Sequence, residues 1–266
     1  MVKTLSKHPL IADAMEGLRP SMIASQPRVL ARIRKLGTPR AKNPKPLKSA
    51  VERFHHLVFY HAAKVTTDFD NLEHIMTMVR KQPPRFTLKK WDLSGDRWLE
   101  FQYTLHLVTL VGAVDRTLIV VNAVLGLGLA PPDCTERLLL RHAQIEGTRL
   151  SAAIKDLSRD VQPTRNHRNL DVHQKDLPPF HEIVGWEDYD WLPMCALVGK
   201  DDEVLIPPAW LQKGFRYAGQ LLSLRMQKER TRLKNRVWRI FDLLVPIARR
   251  RAAAFAQTGG WRLTWR

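Results

Sequence analysis

The chain is poor in cysteine: Cys134 and Cys195 are the two in 266 residues, and neither sits in a Cys-x-x-Cys or Cys/His ligand spacing. This excludes a disulfide framework and a zinc knuckle, and it fits a reducing, cytoplasmic compartment. Missing too are GxGxxG, GxxxxGK[ST] and GxSxG, which argues against the usual dinucleotide, P-loop and hydrolase chemistries. The opening "MVKTLSKHPLIADAMEGLRP" lacks an uninterrupted apolar run and does not read as a secretory signal. His55, His56 and His61 lack the i, i+4 spacing of a helical metal pair, so no metal and no cofactor is expected there. Glu182, Glu187, Asp188 and Asp190 read either as cation ligands or, more simply, as an acidic surface loop.

Acid is the other scarcity. Against 43 Lys/Arg stand 26 Asp/Glu, a net charge of +17, so long-range attraction is to polyanions such as nucleic acid. The excess lies at the two ends: residues 1–50 hold 11 Lys/Arg against 2 Asp/Glu, and residues 201–266 hold 14 against 5. A nearly neutral central domain flanked by basic segments is the implied layout, with an arm and linker over 1–46, a domain over 47–245 and a basic tail over 246–266. Within the arm, "QPRVLARIRKLG" suits a short helix ended by Gly37, and the alternating prolines and cations of "PRAKNPKPLK" suit an extended linker.

From Leu47 onward the apolar spacing is helical and never settles into period 2, so the expected fold is an all-α bundle with long basic C-terminal helices. "SAVERFHHLVFYHAA" and "DNLEHIMTMVRK" read as two helices, "QPPRFTLKKWDLSGDRW" as turns, and residues 98–127 as one long apolar helix stopped by "GLGLAPP". His106, Asp115, Arg116 and Asn122 interrupt that run. Polar groups at this density make a membrane span costly, so a buried helix is expected, and no membrane partner. Asp133, three residues before Glu136, resembles a capping box opening the next helix. In the last third Leu211, Phe215, Ala218, Leu222 and Met226, then Leu233, Val237, Phe241 and Leu244, recur at helical spacing. Arg225, Lys228, Arg232, Arg236 and Arg239 take the remaining surface as candidate nucleic-acid contacts, and Pro246 is expected to kink or end the helix.

The densest set of chemical groups is "RNHRNLDVHQKD", residues 165–176. Metal-free RNA cleavage must remove a proton from a 2′-hydroxyl, stabilise charge at phosphorus and protonate the leaving 5′-oxygen. Histidine suits the proton transfers and arginine the charge, while asparagine can orient either. Arg168, Asn169 and His173 supply one of each within six residues, and a solvated polar loop is the simpler alternative.

This "RNLDVH" resembles the R-x4–6-H signature of HEPN domains, in which a polar residue follows the arginine. The order of elements is also similar to one bacterial branch: a long apolar helix with an Asp-Arg pair, then "PPDCTERLLL", a further helix and the Arg/His motif. The resemblance implies an all-helical, commonly dimeric, metal-independent endoribonuclease of toxin–antitoxin or antiviral defence type. Its substrate would be RNA, and an antitoxin or defence-system protein is a further implied partner. Arg168, Asn169 and His173 would be catalytic, with Asp115 and Arg165 supporting; Asp115 and Asn122, seven apart, could together orient Arg168 or could serve a structural network. A second match, "RLLLRH" at 137–142, has leucine after the arginine and reads as packing. The rival readings are a non-catalytic nucleic-acid-binding module and a protein-interaction component.

Overall fold

The computed structural model describes residues 4–36, 49–91, 93–174 and 208–258, and every regular element among them is helical. Helices α1 (Pro9–Leu36), α2 (Ala50–Lys81), α3 (Arg85–Lys90), α4 (Gly95–Leu125), α5 (Glu136–Leu140), α6 (Arg149–Gln174) and α7 (Pro208–Thr258) follow in order, with 3-10 turns at Leu5–Lys7 and Pro131–Asp133. The all-α expectation holds. The chain divides into two compact units, one of Met1–Thr66, Asp115–Asp156 and Arg236–Arg266, the other of Thr67–Val114 and Leu157–Asn235.

The first unit takes the start of α1 into its core. Leu5, Leu10, Ile11, Ala14 and Leu18 are buried, so residues expected to form an arm supply a packed helix instead. Apolar spacing overrides the local basic charge there because burial of these side chains contributes about 1.5–3 kcal/mol each. Residues 37–48, with the expected linker, lie outside the described residues. Helix α2 opens on a capping box: Ser49 Oγ accepts from the Glu52 N–H (3.1 Å), and Glu52 Oε2 accepts from the Ser49 N–H (3.2 Å). It then runs unbroken to Lys81, merging two expected helices. The second unit centres on Ile75, Met76, Val79, Leu99, Tyr103, Leu107, Ala218, Leu222 and Met226.

Helix α4 is apolar nearly all round, as a helix buried on several sides must be. By length and composition Arg97–Leu125 could cross a membrane, yet 67% of its most apolar window is buried within the protein. It ends in a Schellman turn, with Gly126 at φ +57° and the Leu127 N–H donating to Asn122 O at 3.2 Å. Asp133 does not cap α5: Thr135 does, its hydroxyl accepting from the Leu138 N–H at 3.4 Å, and the helix closes after five residues. The expected turn stretch at 82–98 contains α3.

Prolines lie within helices, and Pro246, expected to kink or end its helix, does not end it. Pro163 lies inside α6 and Pro246 inside α7, so the expected tail from residue 246 remains helical to Thr258. Both prolines are exposed, and a carbonyl left without its helical donor there can be solvated. Gln162 Nε2 donates to Asn166 Oδ1 at 3.0 Å one turn further along α6.

Candidate functional site

The Arg/Asn/His motif lies on the last turns of α6. Arg165 and Arg168 are half-buried and both are engaged. The side chains of His167, Asn169 and His173 lie outside the described set, as do residues 175–207 with Cys195 and the acidic loop. Along a regular helix, positions 168 and 173 are turned from one another by about 140°. Joint action of the two on one substrate therefore calls for a second subunit.

Asp115, proposed to support Arg168, is exposed. Asn122, only 2% exposed, does not share its environment. Its amide donates to Leu129 O (2.9 Å) and accepts from the Leu129 N–H (3.2 Å), so it fastens the chain leaving α4 rather than orienting an arginine. Cys134 sits beside this turn, its thiol pushed up to about 11 by burial and by the charge of Asp133, and is not a reactive nucleophile. In "RLLLRH", Leu139 is buried and His142 Nδ1 accepts from the Gln144 N–H, which is the packing reading.

The expected nucleic-acid stripe on α7 is largely occupied from within. Arg232 meets Asp160 at 3.0 Å; Arg236 and Arg239 share Asp156 Oδ2 at 3.4 and 3.2 Å. Arg225 donates through Nε to Glu229 Oε1 at 3.3 Å and lies over the Tyr103 ring, 5.5 Å from its centroid. Lys228 is exposed.

The two carboxylates of α7 each hold a fully buried histidine, an arrangement the sequence reading missed. In the second unit, His106 Nε2 lies 3.1 Å from Glu229 Oε2. Burial pushes the Glu229 carboxyl up, but the hydrogen bond and charge of His106, with Arg225, outweigh it and hold the group below its ordinary value. Around this pair Gln102 Oε1 and His106 Nδ1 find no hydrogen-bond partner among the described residues. Burial and the Glu229 charge raise the Tyr103 phenol strongly, so it stays protonated. In the first unit, His8 Nδ1 accepts from the Leu10 N–H at 3.1 Å, which leaves the Nε2 proton to donate to Asp242 Oδ1 at 3.0 Å. Trp238 and Phe241 pack edge-on against the ring, and burial lowers the His8 pKa against the opposing pull of Asp242 and Asp13.

A cleft in the first unit is lined by Arg53, Phe54, Leu57, Gly126, Arg251 and Phe255 and is largely apolar. Among the described residues no group of three or more His, Cys, Asp or Glu could hold a metal ion. No protein-family model matches the chain, and no curated protein or solved structure matches it either.

Proposed function

We propose that the chain is a metal-independent endoribonuclease of the HEPN type, a toxin or defence effector that works as a homodimer on RNA. The observation that carries this reading is the motif "RNLDVH" on the last turns of α6, in an all-helical chain of net charge +17. His173 removes a proton from the attacking 2′-oxygen or delivers one to the departing 5′-oxygen. Arg168 stabilises charge at phosphorus, Asn169 orients, and the products end in a 2′,3′-cyclic phosphate and a 5′-hydroxyl. Arg165 supports the arginine, and the basic segments attract the strand by counterion release.

A non-catalytic RNA-binding module is the second reading, and one observation favours it: α6 continues through the motif, which keeps positions 168 and 173 apart within one chain. Incubation of labelled RNA in EDTA with wild type, Arg168→Ala and His173→Ala separates the two. Cleavage by wild type alone, leaving cyclic phosphates, is expected. Equal cutting by all three removes the proposed site, and binding without cutting by all three selects the second reading.

A further inference from the structure

Between Glu100 and Asp115 helix α4 carries no Lys, Arg, Asp or Glu, a stretch of about 21 Å in a chain of net charge +17. Its inward side packs Leu99, Tyr103 and Leu107 into the core of the second unit. The outward side is apolar as well. Phe101 is 61%, Leu105 40% and Val108 42% exposed, and the half-buried Gly112 continues the line. Steps of four, three and four residues complete three turns with a drift of only about 20°, so the four positions form one straight stripe. Beside it the Thr109 hydroxyl donates to Leu105 O at 2.7 Å, within the helix.

Trp91 extends the stripe at its N-terminal end. It is 52% exposed, and its ring lies 6.2 Å from that of Trp98, one turn before Phe101. With about 150–250 Å² for a whole aromatic side chain and somewhat less for an aliphatic one, Trp91, Phe101, Leu105 and Val108 leave roughly 400 Å² of apolar surface in solvent. A stable dimer interface buries about 800 Å² per copy, rather more than half of it apolar, so this face supplies most of the apolar area that one needs.

We infer that this outward face of α4 is where two copies of the chain pair, antiparallel, about a two-fold axis. The order of side-chain sizes along the stripe complements its own reverse. With the axis midway between positions 105 and 108, Leu105 meets the partner's Val108. Thr104 meets the partner's Thr109, and Phe101, the largest of the stripe, meets the partner's Gly112, which has no side chain. Such a contact closes after two copies, and a bulky side chain set over a glycine lets two helices approach to the roughly 8–10 Å of a packed pair. Charge selects the occupant: a chain of net charge +17 repels a second copy wherever cations are exposed, and the uncharged stripe is where two can meet. A polyanion would find no cation on it. The inference rests on the homodimer of the reading above but does not require the Arg/His motif to cut RNA.

Sedimentation equilibrium of the full chain, with circular dichroism to follow the fold, provides the test. Wild type is expected to be dimeric at about 100 µM and to pair more tightly as salt screens the repulsion between copies. Leu105→Lys and Val108→Glu each set a lone charge against an apolar side chain and should weaken pairing at least about a hundredfold. Because 105 faces 108 across the axis, an equal mixture of the two variants should recover dimers, each with one Lys–Glu contact. Should the charged variants fail to fold, Phe101→Ala reads the same contact without a charge and should weaken pairing about tenfold or more. A monomeric wild type overturns the surface and the homodimer together. Variants that all remain dimeric place the pairing on another face, so the surface falls and the homodimer stands. Monomeric variants that do not recover on mixing overturn the two-fold register. A monomer that binds phosphatidylserine vesicles, and loses them with Val108→Glu, assigns the stripe to a membrane instead. Dimers through this face without RNA cleavage leave the surface standing while the nuclease reading falls.

Discussion

The two stretches of α7 contrast. Before Glu229 the stretch from 208 holds Lys213, Arg216, Arg225 and Lys228 and no acidic residue of its own; beyond it, Arg230, Arg232, Arg236 and Arg239 each meet a carboxylate from α2 or α6. In sequence both stretches look like one basic helix with one apolar face. The second stretch is set by what other helices present to it, so charge periodicity alone cannot identify a seam whose arginines are already paired. Partly exposed ion pairs of this kind stabilise only modestly, by about 0–1 kcal/mol each, but they remove the arginines from the inventory available to RNA.

Three substitutions probe how far that contrast reaches. The largest effect is expected at Glu229, where the stretches meet. Glu229→Ala leaves the wholly buried His106 without its carboxylate and should cost about 3 kcal/mol in denaturant unfolding, because a buried polar group loses its charged partner. A loss below about 1 kcal/mol would mean that His106 finds another partner. The Glu229 carboxyl is held below its ordinary value, so its share of stability is present above about pH 4.5 and is lost as acid protonates it.

Asp156→Ala comes next, at about 1–2 kcal/mol, since Arg236 and Arg239 share one oxygen of a half-buried carboxylate. The same variant sharpens the comparison functionally: it removes the shared carboxylate from Arg236 and Arg239, and on the RNA reading strand affinity should rise at low salt. Unchanged affinity would show that these arginines point away from any bound strand.

The smallest effect concerns Asp242, the second carboxylate of α7. His8 is neutral in the fold, with Nδ1 occupied by the Leu10 N–H, and its pKa is lowered. Its share of stability is therefore present above the unfolded pKa of about 6.5 and is lost as pH falls through the lowered folded value. His55 and His61 are shifted in the same direction by burial. Melting curves at pH 7.5 and 5 should differ less for His8→Asn than for wild type; an identical pH dependence would remove His8 from the account.

Much of the fold was legible in the residues, and the misreadings have physical causes. Leu222, Met226, Val237, Phe241 and Leu244 recur at helical spacing and are buried, so the apolar period located the inward face of α7 correctly. Gly126 stopped α4 close to where glycine and proline clustered. Pro246 does not end α7 because a proline's lost hydrogen bond is tolerable when its carbonyl partner faces water. The capping box at Ser49 and Glu52 was present as S-x-x-E and went unread, whereas the Asp133 signal was weaker than the neighbouring Thr135.

What the sequence by itself determined is the helical class, the inward faces of the long helices and the surplus of positive charge, because apolar period and composition are local quantities. Tertiary structure decided which carboxylates meet Arg230, Arg232, Arg236 and Arg239, that Asn122 fastens a turn, and that Glu229 and Asp242 secure His106 and His8. Those outcomes depend on partners more than a hundred residues away for both histidines. Hydrogen bonds and ion pairs act over a few ångströms in space, and no spacing along the chain encodes which distant carboxylate will arrive there.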